Sequence, residues 1–156
     1  MGEPAREIAL VNLMALLAGM TGTRPRGFTY PTPPVVASEY ADPIQINRFP
    51  HFMVLQDDGT PVQIVATVGG ESAYQHLLRV EIGCYVMHND HGISARTWKQ
   101  RTWDDVFHTV MGDHRLGGAC SWIDWGELRV DVGDFHPRGI WWQPLTIIID
   151  EGVEVS

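Results

Sequence analysis

The stretch Ile140 to Asp150 reads IWWQPLTIIID. Successive side chains of a strand point to opposite faces, which puts Trp141, Leu145, Ile147 and Ile149 on one side and Ile140, Trp142 and Ile148 on the other. Both faces are apolar, so each must be covered. Pro144 cannot donate to a ladder, and this predicts an edge strand or a bulge, where cover from within one chain is hardest to arrange. Contact with another subunit through Trp141, Trp142, Pro144 and Ile148 would supply it. All six tryptophans lie beyond residue 97, at 98, 103, 122, 125, 141 and 142. Tryptophan fits a core and an interface centre alike, and both uses stay open.

Leu78, Val80, Ile82, Cys84 and Val86 alternate with Arg79, Glu81, Gly83 and Tyr85, the period of a strand with one buried face. Each fully buried aliphatic there contributes roughly 1.5 to 3 kcal/mol. Pro4 suits a helix start, and Leu10, Leu13, Met14 and Leu17 share one face of a helix from Ala5 to Ala18. Ile8, Val11, Ala15 and Ala18 form an adjoining stripe, assigned to the core or to a second partner. Ser94 caps a second helix running to about Met111, with Trp103, Val106, Phe107 and Val110 on its apolar side.

Between Thr21 and Arg48, five prolines predict an extended arm or long loop with one short strand near Val35 to Ser38. Further strands are expected at Phe49 to Gln56, as a hairpin return at Val62 to Val68, and at Cys120 to Val132, with Gly69 to Gln75 as a polar loop. The order helix, strands, helix, strands implies a single α+β domain over residues 1–156, with two helices on a mostly antiparallel sheet.

A net charge of -8, with a single lysine at position 99, argues against tight binding to a phosphate backbone. Arg96, Lys99 and Arg101 read as the solvated face of a helix. Cys84 and Cys120 lack CxxC partners and form neither a zinc motif nor a disulfide framework, which favours a reducing compartment. Glu3 and Glu7 beside Arg6, and Asn12 within the apolar run, oppose a signal peptide. No stretch approaches the ~20 apolar residues of a membrane span.

His88, Asp90 and His91 form the one compact cluster of metal-ligating types, and a small metal-dependent hydrolase built on them would draw a further ligand from His114 or His136. The spacing H-x-D-H matches no standard signature, and Asn89, Asp90 and Gly92 suit a strand-to-helix turn, so turn chemistry is expected and no metal. The carboxylate pairs Asp57-Asp58 and Asp104-Asp105 and the string Asp124, Glu127, Asp131, Asp134 lack an accompanying nucleophile or phosphate loop. Catalytic and cofactor-binding residues are therefore not assigned. A monomeric ligand-binding module with a tryptophan-lined pocket is the other alternative.

In layout the chain resembles the tail-terminator, minor-tail and head-tail joining proteins of long-tailed phages. The likeness runs through REIALVNLMALLAGM, RFPHFMVL, HLLRVEIGCYVMHND, ARTWKQRTWDDVFHTVMGDH, CSWIDWGELRVDVGD and IWWQPLTIIID. It implies a virion protein, assembled in the host cytoplasm, that forms a ring, usually a hexamer, on the end of the tail tube. The same resemblance implies contacts with the tail tube protein and with a head-completion or connector protein, DNA passing through the lumen unbound, and no cofactor or membrane. The Pro-rich segment 25–43 and the segment 62–75 depart from the family layout.

Overall fold

The computed structural model describes residues 4–21, 30, 33–42, 45–56, 62–68, 71–133 and 135–154. Two helices, α1 (Ala5–Ala18) and α2 (Ala95–Gly112), and seven strands form an α+β fold. The strands are β1 (Val35–Ala37), β2 (His51–Gln56), β3 (Val62–Val68), β4 (Glu71–Met87), β5 (Trp122–Trp125), β6 (Arg129–Val130) and β7 (Arg138–Glu154). β4 and β7 run antiparallel in unbroken register from Glu71↔Glu154 to Met87↔Arg138. β2 and β3 share the far edge of β4, while β5 and β6 share the far edge of β7. β1 joins β2 in parallel, and every other pairing is antiparallel.

The helices pack on one face of this sheet. Ala9, Leu13 and Leu17 recur every four residues, the spacing of one helical stripe, and all three are buried. From α2, Trp98, Val106 and Val110 meet Phe52, Leu78, Ile82, Cys84, Trp141 and Ile147 in the main core. Polar groups buried there are paired: Trp141 Nε1 donates to Thr102 Oγ1 at 2.9 Å, and Tyr30 Oη donates to Asp105 Oδ2 at 2.8 Å. The side chain of Ser94 accepts from Thr97 N–H and caps α2 as its sequence implies.

The opposite face of β7 is also covered from within the chain. Ile46 joins Met53, Tyr85 and Ile140 in a second buried cluster, against which Ala41, Phe49, Leu55 and Trp142 pack. The second set of apolar side chains on the last strand is thus met in part by Ala41, Ile46 and Phe49, in and just after the Pro-rich segment, whose described part also includes the short β1. Residues 22–29, 31–32 and 43–44 of that segment lie outside the described residues, so the arm as a whole is not traced. Within the cluster the Trp142 indole lies across Gly83: a Cβ there would fall 2.2 Å from ring atom Cζ3. Glycine here makes room for an aromatic ring on the neighbouring strand.

Three expectations change. The stretch from Cys120 to Val132 is two short strands, not one. β3 pairs with β4, not as a return on β2, and β4 begins at Glu71, inside the expected polar loop. β7 is an interior strand, not an edge. Pro144 explains the first and third together. Its carbonyl accepts from Gly126 N–H at 2.9 Å, on the β5 side. An antiparallel residue points its N–H and C=O the same way, so the donor that proline lacks would have faced this side. The neighbouring strand breaks there, with Gly126, Glu127 and Leu128 set against Gln143 and Pro144. The buried Gln143 side chain supplies the missing donor: Nε2 reaches Gly126 O at 2.8 Å and Pro144 O at 2.9 Å, and Oε1 accepts from Trp103 Nε1 at 3.0 Å.

Gly83→Ala should destabilise the fold by about 1 to 3 kcal/mol through overpacking against Trp142. Chemical denaturation of Gly83→Ala, Trp142→Ala and the double variant checks this. Most of the Gly83→Ala penalty should vanish in the Trp142→Ala background, because the two act at one contact.

Candidate functional site

The two long strands stay paired to their far ends. Beyond Leu77 the pairs of β4 and β7 continue to Glu71↔Glu154, and β3 lies along β4 from Val62↔His76 to Val68↔Glu71. The result is a three-stranded ribbon about 20 Å long at ~3.4 Å per residue. On its far side β5 ends opposite Ile148, with Ser121 N–H donating to Ile148 O at 2.8 Å as the last bond. From Ile149 to Glu154, β7 has no partner on that side among the described residues, and β3 pairs only with β4. The ribbon therefore has two open edges on opposite sides. Ile140, Pro144 and Ile148 all direct their backbone groups away from β4. Alternation carries the same orientation to Asp150, Gly152 and Glu154.

Of the four residues singled out from the sequence as an interface, Trp142, Pro144 and Ile148 share one face of β7 and Trp141 lies on the other. Trp141 is fully buried against Phe52 and Thr102, so no partner can reach it. Pro144 faces the break between β5 and β6. Trp142 is half-buried on Gly83 and Tyr85, with ring centroids 6.4 Å apart in the latter pair. Ile148 is half-buried where the ribbon leaves the body. Trp98 also belongs to the core, whereas Trp122 is 46% exposed. Trp103, Phe107 and Trp125 make a partly buried aromatic cluster, with centroids 5.4 and 4.9 Å apart. On α1 the stripe of Ile8, Val11, Ala15 and Ala18 is exposed, not buried in this chain.

His88, Asp90 and His91 carry out turn chemistry. His88 Nδ1 accepts from Ala95 N–H at 3.1 Å, capping the first turn of α2, and the ring packs 4.9 Å from that of His136. The carbonyl of Asp90 accepts from Trp98 Nε1 at 3.1 Å, and its carboxylate meets His91 Nδ1 at 2.9 Å. Asn89, His91 and Gly92 all have positive φ, as the tight turn requires. Among the described residues no three His, Cys, Asp or Glu side chains are grouped to hold a metal ion. Cys84 and Cys120 are buried free thiols, and burial pushes Cys120 up to about 11 and Cys84 higher still, far from a reactive thiolate.

A groove of about 1100 Å³ runs between α2 and the stretch from Leu128 to Gly133, with His88 and His136 at its lining. One wall is locked in place: Lys99 Nζ lies 3.1 Å from Asp131 Oδ1 and 3.2 Å from Asp131 O. The same carboxylate accepts from Ile140 N–H at 2.8 Å and Gly133 N–H at 3.1 Å. Burial opposes ionisation of Asp131, but these two backbone donors and the Lys99 ammonium outweigh it and hold the pKa below the ordinary carboxylate value. Nothing in the sequence ties Asp131 to Lys99, 32 positions away.

A carboxylate with a depressed folded pKa adds stability that is complete above its unfolded pKa, near ~4, and lost as pH falls through the folded value. Asp131→Asn should cost about 1 to 3 kcal/mol at neutral pH by leaving buried donors without their charged acceptor. It should also flatten the stability profile below pH ~4, as urea titrations across that range would register. An unchanged slope would remove Asp131 from the acid response.

No helix among the described residues is long and apolar enough to cross a membrane. No family model matches this chain, and no curated protein is significantly similar to it.

Proposed function

We propose that this chain is a structural subunit of a phage particle, closing head to tail into a ring at the tail end or neck. The observation that carries the reading is the ribbon with one open edge on β3 and the other on β7. Unpaired edges invite another strand, and two different edges on opposite sides give a heterologous contact that closes into a ring when the rotation permits. The resemblance in layout to tail-terminator and head-tail joining proteins points the same way. A ring of about six copies would contribute ~18 ribbon strands, and barrels of roughly 16 to 18 strands leave an aqueous channel. The ribbon sequence contains Glu71, Asp150, Glu151 and Glu154 and neither Lys nor Arg, which suits a lumen that passes DNA without holding it. The partners in this reading are further copies of the chain, the tail tube protein and a head-completion or connector protein. No cofactor is involved.

Gly152→Pro tests the reading directly. It removes one backbone donor directed away from β4 and leaves the ladder to β4 unchanged. Native mass spectrometry and electron microscopy should show rings of the unmodified protein, free or on tail tubes, and a folded monomer for the variant. A strictly monomeric protein under both conditions, or rings formed equally well by Gly152→Pro, would reject it.

The same charge argument predicts DNA binding weaker than micromolar at physiological salt. Submicromolar binding in a filter or anisotropy assay counts against a passive lumen.

A further inference from the structure

The groove beside α2 lies on the body, away from the ribbon edges, and the ring does not use it. Its lining is concave and amphipathic. Trp103 and Leu128 are partly buried within it, while Val130 and Val132 stand 46% and 90% exposed on its rim. Scattered exposed apolar residues are ordinary, but these two border one cavity together with Trp103 and Leu128. The opposite wall is the first half of α2, where Arg96, Lys99 and Arg101 fall within six positions on a chain of net charge -8.

The groove is also preformed. The aliphatic stem of Lys99 lies over Gly139, where a Cβ would sit 3.1 Å from its Cδ, and its ammonium ends on Asp131. Lys99 is therefore committed to the wall. Arg96 is exposed and has no ion pair among the described residues. Asp104, at the same cavity, is turned to His108 at 3.5 Å. The side of β6 away from β7 carries no strand among the described residues, so the apolar wall ends in open backbone.

We infer that this groove docks an extended, acidic peptide segment of an assembly partner, whose apolar side chains lie on Val130, Val132 and Leu128 while its carboxylates meet Arg96. Charge complementarity selects the acid: cations gather here on an otherwise acidic protein, and a carboxylate completes the one left unpaired. The open edge of β6 selects an extended segment over a helix, since strand addition satisfies free backbone groups. A wall already fixed by Lys99 and Asp131 lowers the ordering cost of binding.

The probe is a fluorescein-labelled, end-capped peptide of alternating Glu and Val, titrated against the full chain by fluorescence anisotropy. It should bind, whereas alternating Lys-Val and Glu-Ser peptides should bind at least tenfold more weakly. Arg96→Glu and Val132→Asp, both surface changes, should each weaken the Glu-Val peptide by about tenfold. Failure of the Glu-Val peptide to bind overturns the inference. Equal binding of Lys-Val or Glu-Ser, or unchanged affinity in both variants, does so too. Repeating the titration on Gly152→Pro separates the two proposals. Binding retained by that variant places the groove apart from the ring whatever the outcome of assembly, and binding lost with the ring overturns the groove as an independent site.

Discussion

The pairing of β4 with β7 is the interaction on which the rest of the structure depends. Seventeen residues of each strand lie in register, and every other strand except β1 is hydrogen-bonded to one of these two. That frame sets which side chains meet the helices: Leu78, Ile82 and Cys84 from β4 stand beside Ile147, Gln143 and Trp141 from β7. A slip of one residue would turn these toward the other face, so the buried set and the register enforce one another. At one end the paired strands are joined by β3 in a ribbon whose outer edges carry no further strand among the described residues.

A single imino acid then divides the frame's outer edge. Pro144 lies in the interior of the sheet, where a missing donor is usually costly, and the cost is met locally by interrupting the adjacent strand and substituting the Gln143 amide. This buried amide uses both of its donors, on Gly126 and Pro144, and accepts from Trp103. The interruption has a consequence for the surface. After the break the chain turns through Asp131, whose carboxylate gathers Lys99, Gly133 and Ile140, and this turn becomes one wall of the groove. A backbone defect in the core and a concave feature on the surface are thus two ends of one local arrangement.

Ribbon and groove suit different partners. The ribbon offers backbone edges with acidic residues along its sequence, the features on which the proposed ring rests. The groove offers side chains, apolar ones beside an unpaired guanidinium, which favours an acidic segment from elsewhere. In the proposed ring the two would be a lateral and an axial contact, and they are built from different residues of the fold. His88 also lines the groove, while Asp90 and His91 belong to neither surface. All three close the turn that launches α2.

Much of the fold was legible in the residues. Helical spacing located α1 and α2, Ser94 marked a helix start, alternation located the central half of β4, and the two apolar faces of β7 demanded two layers of cover. These are local signals, carried by residues a few positions apart. What covers the second face is not local: Ile46 reaches Ile140 only because β2 pairs with β4 and β4 with β7, so cover that sequence reasoning assigned to a neighbour is partly supplied by the chain itself. The same holds for Trp141, whose burial depends on Phe52 and Thr102, and for the break opposite Pro144, which the proline implied but could not place. The sequence by itself determined the elements, their amphipathic faces and the need for cover on both sides of the last strand. Tertiary structure alone decided which strands became interior, where edges stayed open among the described residues and that Asp131 would hold Lys99, because pairing partners are chosen by contacts between residues far apart in the chain.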